Sequence, residues 1–170
     1  MKVRIAGITH ESVTDGPGIR SVLFFQGCPH GCSGCHNPQT WSFAGGEELE
    51  VAQVISSMRL TPLLSGFTFS GGEPFVQAPA VAELASYVKS RQLSLWIYTG
   101  YVWEQLLADI NKAVYRDLLA LADVIVDGPY QKEFRRLGLP YRGSQNQRII
   151  MVAESLQSGK PVEWQTNMST

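Results

Sequence analysis

The stretch GCPHGCSGCHN, residues 27–37, contains every cysteine of the 170-residue chain, namely Cys28, Cys32 and Cys35. On a helix this spacing would place the three thiols on one face, as in a buried core. The proline and glycines between them oppose a helix, because these residue types are the least favourable in a helix interior. The stretch therefore predicts a loop wrapped around a compact ligand, with glycines that let the backbone approach it closely.

The residues of this loop leave two kinds of ligand open. Structural zinc usually takes four ligands, so the three cysteines would need His30 or His36 as a fourth. Iron–sulfur clusters are held by cysteine thiolates in loops. In a [4Fe–4S] cluster, three cysteines would leave one iron without a protein ligand, and an open metal position is a binding site.

Composition is that of one globular domain, with 44% hydrophobic residues and a formal net charge of −1. Such a charge argues against a strong electrostatic grip on nucleic acid or anionic lipid. No apolar run approaches the ~20 residues that span a bilayer, and the first residues lack the apolar core of a signal peptide. We therefore expect a cytoplasmic protein that binds neither nucleic acid nor membrane.

Around the cysteine loop, strand and helix patterns alternate along the chain. Strand patterns cover residues 3–8, 21–26, 66–70, 94–99, 123–127 and 147–152. Helical patterns cover residues 47–59, 81–88 and 103–110, and the last continues or breaks toward residue 121. Strands separated by helices predict a mostly parallel sheet with crossover helices.

The chain is too short for an eight-fold barrel, which typically needs ~250 residues. We predict an α/β fold, with a single-domain partial (open) β/α barrel built on a curved, mostly parallel sheet. Residues 1–155 form the core domain in this prediction, and residues 156–170 form a loose tail.

Three further motifs, SGGEP (70–74), YTGY (98–101) and DGPY (127–130), each follow a predicted strand, as the cysteine loop does. In parallel α/β folds, ligands bind at the carboxyl ends of the strands. The four loops are therefore expected to converge on one edge of the sheet.

The spacing Cys-x3-Cys-x2-Cys resembles the cluster motif of the radical S-adenosylmethionine (SAM) enzymes, and SGGEP resembles their Gly-Gly-Glu motif. The segment DGPGIR (15–20), followed by an apolar strand and a CHN cysteine loop, resembles the activases of glycyl radical enzymes. Within these, the chain resembles the activators of anaerobic ribonucleotide reductases in FFQGCPHGCSGCHNPQTW, GFTFSGGEPF, IYTGY, VIVDGPY and RGSQNQRII. The resemblance covers residues 3–150 and not the tail.

The resemblance implies a radical SAM fold and one [4Fe–4S] cluster per chain, held by Cys28, Cys32 and Cys35. SAM would bind the fourth iron, and reductive cleavage of SAM would give a 5′-deoxyadenosyl radical. That radical would take a hydrogen atom from a glycine in the large subunit of an anaerobic (class III) ribonucleoside-triphosphate reductase. The electron donor is unidentified, and flavodoxin is one candidate.

Two alternatives within the radical SAM group stay open. One is an activase of another glycyl radical enzyme, such as formate C-acetyltransferase, although those relatives are larger and carry a second cysteine cluster. The other is an enzyme acting on a small molecule, although 170 residues leave little chain for a lid. A zinc-stabilised binding module is the non-enzyme alternative.

The resemblance also suggests site residues. Gly71, Gly72 and Glu73 would hold the methionine ammonium of SAM, since an ammonium needs anionic or carbonyl acceptors. The further candidates for SAM binding are His36, Asn37, Thr99, Asp127, Asn146 and Arg148. Of these, the first two would line the adenine pocket, and the last two would bind the SAM carboxylate.

Asp15 and Arg20 are candidates for positioning the substrate glycine; the alternatives are a turn-capping carboxylate and a surface cation.

A departure from the usual pattern stands just before the third cysteine. Many radical SAM enzymes have an aromatic residue there, near the adenine, and this chain has Gly34. His36 or another group must therefore cover the base.

Overall fold

The computed structural model describes residues 1–108 and 113–165. They form seven strands, β1 (Lys2–Ser12), β2 (Ile19–Phe25), β3 (Glu47–Glu50), β4 (Leu64–Gly71), β5 (Ser94–Tyr98), β6 (Val124–Asp127) and β7 (Arg148–Met151). They also form the α-helices α1 (Val51–Ser57), α2 (Ala78–Ser90), α3 (Trp103–Ala108), α4 (Ala113–Leu121) and α5 (Val152–Ser158). Ile110, the end of the third predicted helix, lies outside the described residues.

The sheet has the strand order β3-β1-β2-β4-β5-β6-β7. The four central strands β2, β4, β5 and β6 run parallel to one another. The outer pairs β1/β2, β1/β3 and β6/β7 are antiparallel. The predicted α/β fold with a parallel sheet and crossover helices is thus confirmed for the centre of the sheet. The carboxyl ends of four parallel strands meet at one edge.

Helix α1 begins at Val51, whereas the sequence predicts a start at residue 47. The four residues before it form the edge strand β3, where Glu48 accepts hydrogen bonds from Lys2 and Arg4 of β1 at 3.0 and 3.3 Å. Charged side chains suit an edge strand, because they discourage pairing with another chain. The polar sequence before Val51 fits an edge strand as well as a helix, so the pattern alone does not locate this boundary.

The end of the described chain also differs from the prediction of a loose tail. Helix α5 extends to Ser158, and the chain then returns along β7, where Glu163 bridges to Ile150. The ring of Trp164 lies 5.9 Å from that of Trp96, in an edge-to-face contact. The partly buried Trp164 therefore packs on Trp96 in a segment that the sequence suggests is loose, while residues 166–170 lie outside the described part.

The main hydrophobic core lies between the sheet and the helices. Alternate strand residues such as Leu23, Phe69 and Ile97 point into it and are fully buried. Helix α2 packs on them through Val81 and Leu84. Each of these side chains contributes roughly 1.5–3 kcal/mol to stability. None of the helices in the described ranges is long and apolar enough to cross a membrane.

The other side of the sheet, called here the open face, carries the remaining alternate residues of the parallel strands. A small second cluster covers part of it, with Trp96, Val126 and Ile149 at its centre. Polar and aromatic side chains occupy the rest of the open face, toward the carboxyl ends of the strands. Because the helices pack on the opposite side, the open face is where a ligand has room.

Arg20 lies at the start of β2 on this face and is fully buried. Its guanidinium donates to Thr68 Oγ1 and Ser94 Oγ, both at 2.8 Å, and to the carbonyl oxygen of Phe67 at 2.5 Å. Burial lowers the pKa of Arg20 to about 10. The alternative of a surface cation is therefore wrong, because the side chain is enclosed at the strand end opposite the cysteines. The role of Arg20 in positioning a partner's glycine stays a prediction.

The turn at residues 15–18 packs directly on Arg20. Thr68 Oγ1 accepts from Arg20 Nε and donates to the carbonyl oxygen of Asp15 at 2.6 Å. A Cβ added at Gly16 would lie 2.7 Å from Arg20 Cδ, so the glycine permits this close packing. Arg20 therefore supports the backbone that carries Asp15.

Arg20→Ala should lower the free energy of unfolding by about 3 kcal/mol, because it empties a buried site and removes several hydrogen bonds. Urea unfolding followed by circular dichroism measures this change. Arg59→Ala, which truncates an exposed arginine, is the matched control and should leave the midpoint unchanged. A loss below about 0.5 kcal/mol for Arg20→Ala would contradict the structural role.

Candidate functional site

Three free thiols meet at the carboxyl edge of the parallel strands. Cys28, Cys32 and Cys35 are each half-buried and line one cavity of about 100 Å³. The other walls are backbone of the loops that follow β4, β5 and β6, at Gly72, Gly100 and Gly128, with aromatic rings beside them. The strand-end loops thus converge around the thiols.

Backbone hydrogen bonds hold the cysteine loop at both ends. The N–H groups of Gly27 and Cys28 donate to the carbonyl oxygens of Thr40 and Trp41 at 2.8 and 3.0 Å. Near the third cysteine, the N–H of Asn37 donates to Cys35 Sγ at 3.4 Å. The chain on both sides of the cysteines is therefore fixed, and the thiols project from an ordered loop.

Burial raises the pKa of the Cys28 and Cys32 thiols above their usual range. For Cys32, a hydrogen bond from the backbone N–H of Tyr130 opposes this shift. These two thiols therefore favour their neutral form in the protein alone. A bound metal centre would reverse that preference, because coordination deprotonates a thiol.

The arrangement fits an iron–sulfur cluster. Such a cluster takes cysteine thiolates as ligands, one to each iron, and three cysteines line the cavity. In the described ranges, no three His, Cys, Asp or Glu side chains are grouped closely enough to hold one metal ion.

The carboxylate of Glu73 joins three of the converging loops. Both oxygens are fully buried and accept from the Thr99 hydroxyl at 2.9 and 3.0 Å. The N–H groups of Phe75 and Gly100 donate to it at 3.1 and 2.8 Å. His30 Nε2, from the cysteine loop, lies 2.8 Å from Glu73 Oε2. These contacts, called here the Glu73 knot, tie the loops after β2, β4 and β5 together.

The role of Glu73 in holding the ammonium of SAM stays a prediction. Its carboxylate is engaged in the knot and does not line the cavity, whereas Gly71 and Gly72 do. Thr99 also lines the cavity, but its hydroxyl donates to Glu73 and accepts from the N–H of Tyr101 at 3.1 Å. A hydroxyl has two acceptor lone pairs, so one stays available, and the role of Thr99 in SAM binding stays a prediction.

Two glycines make the knot possible by close approach. A Cβ on Gly72 would lie 2.4 Å from the carbonyl oxygen of Gly27, and a Cβ on Gly100 would lie 2.3 Å from His30 Cδ2. Any larger residue would push the cysteine loop away from its neighbours. The glycine of the Gly-Gly-Glu motif is thus needed by the protein's own packing.

A second cavity of about 320 Å³, called here the adjoining cavity, opens beside the thiols over the open face. Asp15, Cys35, His36 and Asn37 line it together with the rings of Phe24, Tyr98 and Tyr130. Four of the predicted site residues are thus brought together. The Asp15 carboxylate accepts from Ser12 Oγ and Thr14 Oγ1 at 2.5 and 3.2 Å, as expected for a residue that also caps its own turn.

Asp127 and Arg148 lie outside both cavities, and their role in SAM binding stays a prediction. The buried Asp127 carboxylate accepts from the N–H of Trp103 at 2.7 Å, at the start of α3. Arg148 donates to Asp127 at 2.5 and 3.0 Å and to Glu104 at 2.8 and 3.1 Å. Hydrogen bonds to these two carboxylates raise the pKa of Arg148. This ion cluster anchors α3 and lines neither cavity.

Asn146 lines neither cavity, and its role in binding the SAM carboxylate stays a prediction. Its side-chain Nδ2 donates to the carbonyl oxygen of Pro129 at 2.8 Å, and Gln147 Nε2 donates to that of Gly128 at 3.1 Å. Both side chains therefore hold the loop after β6 in place. Gln147 additionally lines both cavities.

Sequence reasoning missed His30 and Tyr130 as members of the site. His30 stands between two cysteines, where the sequence suggests only a fourth zinc ligand. Its partner Glu73 lies 43 positions away in the sequence. Tyr130 closes the DGPY motif at the end of a parallel strand, which was the available signal. Its ring lines both cavities and lies 5.0 Å from the ring of His36.

Comparisons with known proteins give the family. A family model described as a 4Fe-4S single cluster domain matches residues 14–150. The anaerobic ribonucleoside-triphosphate reductase-activating protein of Enterobacteria phage T4 is 36% identical, over 79% of this chain and 85% of that protein. Its namesake from Vibrio cholerae serotype O1 is 38% identical over 81% and 90%. The pyruvate formate-lyase-activating enzyme of Clostridium pasteurianum is 41% identical over 58% of this chain and 44% of that enzyme.

The matched range includes the cysteine loop and each strand-end motif around the cavity. The free thiols supply the donor set of an iron–sulfur cluster, and the glycine backbone beside them leaves room for a second ligand. The chain belongs to the family of the anaerobic ribonucleoside-triphosphate reductase-activating proteins, radical SAM activating enzymes whose cofactors are a [4Fe–4S] cluster and S-adenosylmethionine.

Proposed function

We propose that the protein generates a glycyl radical on the large subunit of an anaerobic ribonucleoside-triphosphate reductase. The observation that carries the proposal is the convergence of three free thiols on one cavity, with a second cavity open beside them. The relatives named for this activity match over 85–90% of their length, and the formate-lyase relative over 44%. Another glycyl radical enzyme as target is the second candidate.

Cys28, Cys32 and Cys35 are the proposed ligands of three irons, which leaves the fourth iron for SAM. When bound, the cluster would supply the single electron for reductive cleavage of SAM, and SAM would supply the group that takes the glycine hydrogen atom. The chain's own part is to orient the bound groups and exclude water from the cavity. The thiolate ligands and the reductive step suit the cytoplasm, where thiols stay reduced.

The adjoining cavity is the proposed entrance for the partner's glycine. Asp15 lies on its wall, on a turn that Arg20 supports from beneath. His36 and Asn37 stand on the same wall beside the third cysteine. A cavity that opens over the cluster ligands lets a polypeptide loop reach the reacting atoms and close the site against solvent. The electron donor is a separate partner, for which flavodoxin is one candidate.

We also propose that the sheet curves into a partial, open barrel of the radical SAM type. Its helices all pack on one side, and a cavity lies on the other side at the carboxyl ends of parallel strands. This is the arrangement expected when a sheet begins to close around a ligand.

The activity test uses the full chain, purified without oxygen. About four irons and four sulfides per chain are expected, because one [4Fe–4S] cluster is bound. Addition of SAM and a strong reductant should release 5′-deoxyadenosine. Addition of the anaerobic reductase should then give a glycyl radical signal in electron paramagnetic resonance.

Cys35→Ala should lose the cluster and the radical signal, whereas Ser33→Ala, an exposed position in the same loop, should keep both. Detection of zinc without sulfide in the purified protein would overturn the proposed radical SAM reaction. SAM cleavage with no radical on the reductase, but a radical on formate C-acetyltransferase, would move the proposal to the second candidate. SAM cleavage with neither target would favour a small-molecule substrate.

Glu73→Gln should reduce stability by about 3 kcal/mol, because an amide NH2 would face donors that converge on the carboxylate. The Glu73 carboxylate itself does not line the cavity, so the SAM dissociation constant of the cluster-loaded, folded protein should change less than about two-fold. Urea unfolding and equilibrium dialysis with SAM measure the two effects separately.

Glu83→Gln provides the matched control, since it makes the same change on an exposed face of α2. The opposite pattern, with stability retained and SAM affinity reduced ten-fold or more, would show that Glu73 contacts the ammonium after all.

A further inference from the structure

We propose that Tyr130 supplies the aromatic surface for the adenine of SAM, in place of the side chain that Gly34 lacks. The inference rests on the proposed function and deepens it, by naming the residue that holds the base. Three observations carry it: the space in front of Gly34, the anchoring of the Tyr130 backbone, and the position of Tyr130 on the border of both cavities.

The space in front of Gly34 is already filled by the loop after β6. A Cβ added at Gly34 would lie 3.5 Å from Tyr130 Cε1 and 3.3 Å from Lys132 Cδ. Gly34 has a φ of +75°, in the left-handed region that favours glycine. A side chain at position 34 would therefore be strained by the backbone conformation, and its Cβ would already contact Tyr130 and Lys132. The ring of Tyr130 lies beside the point from which the missing side chain would start.

A second glycine accommodates the opposite edge of the same ring. A Cβ added at Gly143 would lie 2.9 Å from Tyr130 Cδ2 and 3.3 Å from His36 Cε1. The ring of Tyr130 is thus held between Gly34 and Gly143, while the ring of His36 lies 5.0 Å away at an angle of 47°. This packing leaves the aromatic ring few orientations.

The backbone around Tyr130 is fixed on both sides. Asn146 Nδ2 donates to the carbonyl oxygen of Pro129 at 2.8 Å, and the N–H of Gln131 donates to Ser144 Oγ at 3.2 Å. A ring on such a fixed segment loses little conformational freedom when a ligand binds, which favours affinity.

The position of the ring suits a base next to the cluster. Tyr130 lines the cavity of the three thiols and also the adjoining cavity, so it borders both. A nucleobase presents a flat π-face, and stacking of a base on an aromatic side chain typically changes affinity by about ten-fold or more. The hydroxyl is not required for stacking, so phenylalanine would serve equally well.

The test measures binding of SAM and of methionine to the cluster-loaded chain by equilibrium dialysis, without reductant. Tyr130→Ala should weaken the affinity for SAM about ten-fold or more. The affinity for methionine, which has no adenine, should change less than about two-fold. Tyr130→Phe should keep the SAM affinity of the unaltered chain. Phe134→Ala, an exposed ring of the same loop, should change neither ligand.

Gly143→Ala gives a second variant, in which a methyl group pushes the Tyr130 ring without removing it. It should also weaken SAM and spare methionine, and it serves if Tyr130→Ala does not fold. Unchanged SAM affinity in either variant would overturn the inference, as would an equal loss of both ligands, which indicates a general structural role. If the unaltered chain loads a cluster but binds no SAM, the proposed function fails together with the inference. If the unaltered chain binds SAM and Tyr130→Ala binds SAM equally well, the inference fails alone and the proposed function stands.

Discussion

The buried carboxylate of Glu73 is the interaction on which the geometry of the site depends. A carboxylate without solvent contact is costly unless hydrogen-bond donors engage its oxygens. Here the donors come from three loops, through Thr99, Gly100, Phe75 and His30. The loops must therefore come together for the fold to be stable, and this same condition brings the cysteines to the edge of the sheet.

The division of the sheet into two faces decides where a ligand can bind. On one face, alternate strand residues are covered by the helices in a continuous apolar core. On the other, the smaller cluster around Trp96 covers only part of the surface. Arg20 adds to this contrast, because a charged side chain is buried there with hydrogen bonds to Thr68 and Ser94. A polar layer under the open face supports the turn with Asp15 and keeps the cavity wall in place.

Much of the fold follows from the sequence, because strand and helix patterns alternate clearly through residues 3–127. The parallel order of the central strands also follows, since each pair is joined by helical sequence. The edge strand β3 does not follow, because its stability comes from pairing with β1 and from ion pairs with Lys2 and Arg4. The order around Trp164 depends likewise on rings that are distant in sequence, such as Trp96.

For the site, the motif DGPY shows where sequence reasoning stops. Along β6, alternation places Asp127 on the helix side with Ile125, so its carboxylate meets Arg148 and the start of α3. The cavity lies on the other side, and the chain reaches it through Gly128, whose φ of +94° changes the direction of the backbone. Tyr130 consequently lines the cavity, although it stands only three positions after Asp127, whose contacts stabilise the fold. A strand-end motif can thus divide its side chains between stability and ligand binding. The turn at Gly128 that separates these two roles is a property of the backbone, which the sequence DGPY alone does not reveal.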